Sequence, residues 1–100
     1  MKLLTKAIEK KLRANKDKHM VLDRKPVVKL FNPTGAGTWW LWSIDDDDVA
    51  FGVCEISCRE LGYVSLDEIK SFKGTFGLPI ERDMYYSADE TFDEILNGDK

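Results

Sequence analysis

The most constraining feature of this sequence is a run of β-branched and aromatic segments joined by connections of only a few residues. The segments read PVVKLF, TWWLWSI, VAFGVC and LGYVS, and they lie between residues 26 and 65. Such residues favour strands, and the Asn-Pro, Gly and Asp residues between them favour turns. Parallel strands need a connection of about a dozen residues or more, so these short connections require antiparallel pairing. The sequence therefore predicts an antiparallel sheet.

A helix is predicted before the first strand. Leu4, Ile8 and Leu12 recur every four residues, which places them on one face of a helix. Thr5 is a suitable capping residue for its first turn, and the predicted helix runs over residues 5–15. The polar segment KDKHMVLDRK that follows has no hydrophobic periodicity and is predicted to be a loop.

Two more helices and one more strand are predicted in the second half. Ser65 followed by Glu68 forms a capping box before LDEIKSF, and Ser87 followed by Glu90 forms another at the start of SADETFDEIL. LPIERDMYY, between them, is predicted to be a strand, with Pro79 near its start. The prediction is an α+β fold in a single domain, residues 1–100, with an antiparallel sheet of about five strands. The sheet carries an N-terminal helix, a short helix before the last strand and a C-terminal helix.

The composition fits one domain in the cytoplasm. A chain of 100 residues with 43% hydrophobic residues can bury a core of its own. No apolar run approaches the ~18 residues of a membrane span. The first residues, MKLLTKAIEKKLRAN, are charged throughout and lack the apolar centre of a signal peptide. Cys54 and Cys58 are accordingly expected to be reduced thiols.

Charge is distributed unevenly along the chain. Residues 1–29 contain ten Lys and Arg against three Asp and Glu, whereas residues 30–100 contain five against fifteen. A basic arm of this kind can bind nucleic acid, with Lys6, Lys10 and Arg13 on the polar side of the first helix. The favoured interpretation is that the two halves attract each other in the folded domain. Strong binding to nucleic acid is therefore not expected.

The stretch NPTGAGTWWLW raises the question of a phosphate-binding loop. A Walker loop ends in Gly-Lys-Ser or Gly-Lys-Thr and leads into a helix. Here GAGT has no following lysine and leads into a predicted strand. Gly35 and Gly37 are instead expected to supply positive φ angles in a hairpin.

Neither the acidic run nor the cysteines predict a metal site or a cofactor. Asp45–Asp48 lacks the alternating acids, central glycine and final glutamate of a calcium-binding loop, so it is interpreted as a solvated hairpin turn. Cys54 and Cys58 form a single close pair, and His19, the only histidine, has no partner at ligand spacing. We therefore expect no metal site and no cofactor.

The polar cluster that most suggests a functional site is Glu81, Arg82 and Asp83. On a strand, Glu81 and Asp83 share one face, and Arg82 lies on the other. Two carboxyl groups can act as acid and base if their surroundings separate their pKa values. These residues are the candidates for a catalytic site, and the competing interpretation is an ion-pair network that fixes the register of the strand.

The aromatic strand segments predict that the sheet is apolar on both faces. Strand alternation assigns one face to Val28, Leu30, Trp40, Trp42, Ile44, Phe51 and Val53. It assigns the other to Val27, Phe31, Trp39, Leu41, Tyr63 and Tyr85. Because the predicted helices are short, an apolar patch around Trp39 and Leu41 is expected to stay partly exposed. The alternative is that the N-terminal and C-terminal helices cover opposite faces and leave no patch.

Four segments, in order, resemble one known family. FNPTGAGTWW, FG, ELGYVSLDEI and GLPIERDMYY are similar to the uncharacterised family known as domain of unknown function 2958, from about Leu3 to Ile95. The LGY.SL and GLPIERD segments are the most distinctive of these. The segment DDDDVAFGVCEISC departs from the family pattern, which argues against a metal site shared by the family. The resemblance implies a small cytosolic accessory protein associated with plasmids, phages and integrated elements, and it transfers no catalytic residue.

These observations predict a non-enzymatic protein-interaction module that binds an unknown protein partner or forms a homodimer. The candidate binding residues are Trp39, Leu41, Tyr63 and Tyr85. A small enzyme that uses Glu81, Arg82 and Asp83 is the alternative. Nucleic-acid binding through the basic N-terminal third is a weaker alternative.

Overall fold

The computed structural model describes residues 3–19 and 22–98, and it has the predicted α+β element order. Residues 20 and 21 of the predicted loop and both ends of the chain lie outside the described residues. The helices and strands are α1 (Lys6–Ala14), β1 (Val28–Phe31), β2 (Thr38–Ile44), β3 (Val49–Glu55), β4 (Arg59–Ser65), α2 (Leu66–Ser71), β5 (Glu81–Arg82) and α3 (Phe92–Asn97). A 3₁₀ turn, Thr75–Gly77, precedes β5.

The strands form one antiparallel sheet in the order β4-β3-β2-β1-β5. The first four strands follow one another as neighbours, as their short connections require. The chain then crosses from β4 at one edge, through α2, to β5 at the other. The two edges differ in length, since β4 has 7 residues and β5 has 2.

The β1–β2 connection is a hairpin organised by Asn32. Its side-chain Nδ2 donates to Ala36 O (3.1 Å), and its Oδ1 accepts from the Thr34 N–H (3.1 Å). Gly37 has a φ of 135°, in the region that favours glycine. The hairpin prediction is confirmed for Gly37, whereas Gly35 is absent from the residues with positive φ and was assigned one wrongly.

A β-bulge in β2 determines which residues share a face. Leu41 pairs with Gly52 and Ser43 pairs with Phe51, so the register with β3 shifts between Leu41 and Ser43. The extra residue reverses the alternation beyond it. Ile44 consequently lies on the same face as Leu41, and its predicted place beside Trp40 was wrong.

The hairpin register corrects the predicted faces of β1 as well. Leu30 pairs with Trp39 and Val28 pairs with Leu41, and directly paired residues lie on the same face. Val28 and Leu30 therefore pack with Trp39 and Leu41, not with Trp40. The buried residues on this side, the α1 face, are Leu4, Leu12, Val28, Leu30, Trp39, Leu41, Ile44, Ala50, Leu66, Ile69 and Ile80. Those on the other side, the α3 face, are Trp40, Trp42, Val53, Phe92 and Ile95.

The helices begin at side-chain caps that the sequence partly reveals. The Thr5 side chain accepts from the Ile8 N–H (3.1 Å), and the Ser65 side chain accepts from the Glu68 N–H (3.2 Å), both as predicted. The capping box of α3 uses Thr91, whose side chain accepts from the N–H of its partner Glu94 (3.2 Å). The predicted cap at Ser87 is therefore misplaced. Within the described residues, no helix is long and apolar enough to cross a membrane.

The last strand is much shorter than predicted because Asp83 ends it. The Asp83 N–H donates to Lys29 O (3.0 Å), which is the last contact with β1. Asp83 Oδ1 then accepts from the Tyr85 N–H (3.0 Å), and the Tyr86 N–H donates to Asp83 O (3.3 Å). These bonds turn the chain away from the sheet, as local aspartate bonds commonly do.

Candidate interaction surface

The basic N-terminal third and the acidic turn between β2 and β3 are joined by ion pairs. Arg13 Nη2 lies 2.7 Å from Asp48 Oδ1, and Lys16 Nζ lies 2.7 Å from Asp46 Oδ1. The interpretation that the two oppositely charged halves attract each other is confirmed at these contacts. Asp46 and Asp47 of this turn are exposed to solvent, as predicted, whereas Asp45 and Asp48 are half-buried and the turn is held against the end of α1.

The acidic side chains of this turn point to different partners. Asp45 Oδ1 accepts from the backbone N–H groups of Asp47 and Val49 (both 2.9 Å), so it faces inward. Among residues 3–19 and 22–98, no group of three or more His, Cys, Asp and Glu side chains could hold a metal ion. Burial raises the pKa of the Cys54 thiol. Cys58 is exposed, and its Sγ lies 3.6 Å from Glu60 Oε2.

The candidate catalytic residues Glu81, Arg82 and Asp83 do not converge. Arg82 Nη1 donates to Leu3 O (2.8 Å). Asp83 Oδ2 lies 3.8 Å from Lys29 Nζ, beyond the last residue of β5. Glu81 is half-buried and pairs with Phe31 of β1. The contacts of Arg82 and Asp83 fit the ion-pair and register interpretation better than a joint acid–base site.

An open depression on the α3 face contains Asp83 and Tyr85 but not the other two candidate catalytic residues. Its volume is about 450 Å³, and it is lined by Lys29, Trp40, Arg59, Asp83, Tyr85, Tyr86, Ser87, Asp89 and Glu90. The two cations stack on the Trp40 ring, with the Arg59 guanidinium carbon at 5.0 Å and Lys29 Nζ at 5.6 Å from its centroid. Arg59 also donates to Ile95 O (2.6 Å), which fastens α3 to the sheet.

Trp39 and Leu41 are buried, so the prediction that they form an exposed patch is wrong. Trp39 is 8% exposed and Leu41 is 0% exposed. Leu12 of α1 and Ile69 of α2 belong to the same buried cluster. The alternative arrangement, with the N-terminal and C-terminal helices on opposite faces, is confirmed.

Exposed apolar side chains lie in several places among the described residues, and one group of them follows β4 and the turn before it. Those elsewhere are Leu22, Phe72, Phe76, Leu78, Met84 and Tyr85. Tyr63 is 75% exposed, Leu61 is 40% exposed, and Ile56 in the β3–β4 turn is also exposed. Tyr63 and Leu61 pair with Phe51 and Val53 of β3, which places both on the α3 face. The Tyr63 ring packs on Phe51, with the ring centroids 4.7 Å apart. We call Ile56, Leu61 and Tyr63, with the free edge of β4, the β4 surface.

The α3 face is hollow beside this strand. A depression of about 440 Å³ is bounded by Trp42, Phe51, Leu61 and Tyr63 of the sheet and by Leu22 of the preceding loop, among other residues. Tyr63 therefore stands at the border between this depression and the edge of the sheet.

Tyr63 and Tyr85, the remaining predicted binding residues, do not belong to one surface. Tyr85 is 98% exposed but follows β5, at the opposite edge of the sheet from β4. Tyr63 was predicted from the sequence as a binding residue, whereas Leu61 and Ile56 were not. The long connection after LGYVS could have indicated them, because a strand that is followed by a crossover can lie at the edge of a sheet.

Comparison with known proteins gives one match. The model of a family described as protein of unknown function (DUF2958) matches residues 3–97. No curated protein and no solved structure matches the chain.

Proposed function

We propose that this chain, which belongs to the DUF2958 family of proteins of unknown function, is a non-enzymatic protein-interaction module. The observation that carries the proposal is the exposure of Leu61 and Tyr63 on a strand at the edge of the sheet. An edge strand presents unpaired N–H and C=O groups that can pair with another chain. Adjacent apolar side chains add specificity to such pairing.

The rest of the apolar sheet surface supports this choice of surface. Trp39 and Leu41 are covered by α1 and α2, while Trp40 and Trp42 are covered on the other side by α3. These aromatic residues stabilise the domain itself. Among the aromatic side chains of the described strands, Tyr63 of the β4 surface is thus the exposed one.

The setting that we propose is the cytoplasm, where the protein would be an accessory protein of a mobile genetic element. The resemblance of FNPTGAGTWW and GLPIERDMYY to the family supports this setting.

A small enzyme is the second candidate, because Asp83 and Tyr85 share a depression with Lys29. It is less well supported than the interaction module. Arg82 donates to the backbone of Leu3, and Asp83 forms an ion pair with Lys29. Both of these contacts hold β5 in place, so each side chain already has a structural role.

The proposal is tested by co-purification from the native host with matched variants. Tagged wild type, Tyr63→Lys and Tyr85→Lys are compared in cells that also carry a second, differently tagged copy. Both variants replace an exposed tyrosine by lysine, but only Tyr63 lies on the β4 surface. We expect a specific protein, or the second copy, to be recovered with wild type and with Tyr85→Lys. Recovery with Tyr63→Lys should fall roughly tenfold, as loss of one interface anchor predicts.

Two results would overturn the proposal. One is equal recovery of every bound protein by wild type and Tyr63→Lys. The other is a loss of binding that occurs with Tyr85→Lys alone, which would place the contact at the opposite edge. Circular dichroism of the purified variants checks that both are folded.

A further inference from the structure

We infer that the partner of the β4 surface is a second copy of this chain, joined by antiparallel pairing of the two β4 strands about Gly62. This inference rests on the proposed interaction function and names its partner. It follows from the free edge of β4, the direction of its backbone groups and the residues that a twofold axis at Gly62 would place opposite each other.

The centre of the β4 edge lacks the features by which proteins usually protect an exposed strand, because its two charged residues, Arg59 and Glu60, lie at one end. Lysines, prolines, bulges and very short strands are the common means of protection. The strand Arg59–Ser65, RELGYVS, contains no lysine or proline. Its pairing with β3 runs without a register shift from Val49↔Ser65 to Glu55↔Arg59. The opposite edge strand, β5, has only 2 residues and is protected by its shortness.

The outward-facing backbone groups of β4 belong to its odd-numbered residues. The Leu66 N–H donates to Asp48 O (2.9 Å), in the same register as the β3–β4 pairs. Leu66 and Asp48 thus form a bonded pair. Because bonded and non-bonded pairs alternate along an antiparallel ladder, Val64 and Gly62 also form their backbone hydrogen bonds with β3. The backbone groups of Leu61 and Tyr63 therefore point away from the sheet.

Pairing about Gly62 uses the whole strand, because Gly62 is the central residue of Arg59–Ser65. Leu61 of each copy then lies opposite Tyr63 of the other. The two Gly62 residues face each other in a non-bonded pair, where antiparallel strands approach most closely. A Cβ atom added to Gly62 would meet nothing within 4 Å, so the face of the sheet is open at this residue and a side chain can be placed there.

The side-chain pairs in this register are compatible with one another. Aliphatic–aromatic cross-strand pairs stabilise a sheet, and here Leu61 and Tyr63 form such a pair twice. Arg59 lies opposite Ser65 and Glu60 lies opposite Val64, so no like charges are paired. A register centred on Glu60 would place two carboxylates opposite each other, and one centred on Leu61 would leave Ser65 without a partner strand. A register centred on Tyr63 would place Arg59 and Glu60 opposite residues of α2, outside the strand. Among these registers, pairing about Gly62 is the one that uses all of β4, and its self-complementary pairs favour a second copy over an unrelated protein.

The first test is the mass of the protein in solution. Sedimentation velocity of wild type between roughly 1 and 200 μM should show a shift from monomer to dimer, because an interface built mainly on one strand is small and weak. Tyr85→Lys should behave like wild type. Tyr63→Lys should remain a monomer, because it places two lysines beside the paired edge.

The second test is a cross-link at the symmetry axis, and it does not depend on the folding of Tyr63→Lys. Gly62→Cys is made in a background of Cys54→Ala and Cys58→Ser, with Tyr85→Cys in the same background as the control. Facing residues in a non-bonded antiparallel pair lie at about 4.5 Å, within the Cα–Cα range of a disulfide. Under mild oxidation, Gly62→Cys should form a covalent dimer at least about tenfold faster than Tyr85→Cys, because pairing raises the effective concentration of the two thiols.

Each outcome decides the inference. Concentration-dependent dimers with preferential cross-linking through Gly62→Cys support it. A monomer throughout the range, a dimer unchanged by Tyr63→Lys, or equal cross-linking at both positions overturns it. If the protein is monomeric but loses a host protein on Tyr63→Lys substitution in the co-purification, this inference fails while the proposed function stands. If that loss is also missing, both fail.

Discussion

At the scale of single residues, Phe76 combines an exposed ring with an unfavourable backbone conformation. Its φ is 61° and its side chain is 93% exposed. The next residue, Gly77, has a φ of 73° and open space where a Cβ would lie. A residue with a Cβ atom costs roughly 1–2 kcal/mol in this left-handed region. At Phe76 almost no buried surface offsets that cost.

Substitutions at these two adjacent positions should therefore change stability in opposite directions. Phe76→Gly should raise the free energy of unfolding by about 1 kcal/mol, because it removes the strain and almost no packing. Gly77→Ala should lower it by about 1–2 kcal/mol, because it introduces the same strain. Urea denaturation of the three proteins at one pH measures both changes. A destabilised Phe76→Gly protein would contradict this account of the turn.

Among residues 3–19 and 22–98, Tyr86 has a pKa that the fold raises strongly. Its hydroxyl is buried and, among the described residues, has no hydrogen-bond partner. Burial, together with the nearby charges of Glu90, Asp89 and Asp83, raises its pKa to about 12 from an ordinary value of 10.0. The folded protein thus binds the phenolic proton more tightly than the unfolded chain.

This difference predicts a loss of stability at high pH. The contribution of Tyr86 is fully present below pH 10 and is lost as the pH rises through about 12, because the unfolded chain ionises first. Tyr86→Phe should unfold at nearly the same urea concentration as wild type at pH 7 and at a higher concentration at about pH 11. Tyr85→Phe, the same change at a fully exposed ring, is the control and should follow wild type. Parallel curves for Tyr86→Phe and wild type at both pH values would refute the prediction.

At the scale of elements, the start of α3 shows how two similar sequence signals are distinguished. Ser87–Glu90 and Thr91–Glu94 have the same spacing, and the second pair forms the capping box. A start at Thr91 places Phe92 and Ile95 in the buried cluster on the α3 face. The Ser87 hydroxyl instead lies 3.1 Å from Asp89 Oδ2. Burial of the helix, which is a tertiary property, selects the cap.

The two candidate caps can be separated by the same substitution at each. Thr91→Ala should lower the free energy of unfolding by about 1 kcal/mol, because it removes the acceptor for the Glu94 N–H. Ser87→Ala should change it by less than about 0.5 kcal/mol, as for an ordinary surface position. Thermal or urea unfolding measures both. A larger effect at Ser87 would mean that the helix begins a turn earlier in solution.

The strands show which parts of the fold were open to prediction. The segment TWWLWSI matches β2, Thr38–Ile44, because Gly37 before it and Asp45–Asp48 after it are residues that favour turns. The faces were harder to assign, since the bulge near Ser43 and the register Leu30↔Trp39 both change them. Those features depend on strand pairing and on loop hydrogen bonds, which have no strong local signature.

The candidate site was only partly predictable, for a related reason. Tyr63 was named from its residue type, but the role of Leu61 depends on β4 being the last strand of the sheet. Strand order is set by long-range pairing, not by local sequence. Glu81, Arg82 and Asp83 are neighbours in sequence, yet strand alternation and the turn at Asp83 send Arg82 and Asp83 to different partners.

At the scale of the whole molecule, the uneven charge distribution is partly neutralised by folding. Arg13 and Lys16 form ion pairs with Asp48 and Asp46, and the hydrogen bond from Lys16 lowers the pKa of the Asp46 carboxyl. Exposed ion pairs add little stability, so their main effect here is on the electrostatic field. The basic segment carries acidic groups beside it and is a poor surface for phosphates.

The protein should therefore bind duplex DNA weakly. At physiological salt we expect a dissociation constant above about 10 μM, and a salt dependence no steeper than that of about three phosphate contacts. Fluorescence anisotropy with a labelled duplex, repeated at several salt concentrations, measures both quantities. The double variant Asp46→Asn and Asp48→Asn removes two negative charges beside Lys16 and Arg13, while Arg13 keeps its ion pair with Glu9 (2.9 Å). It should therefore bind more tightly and with a steeper salt dependence than wild type. Nanomolar binding by the wild-type protein would show that the basic third is a nucleic-acid site despite its ion pairs.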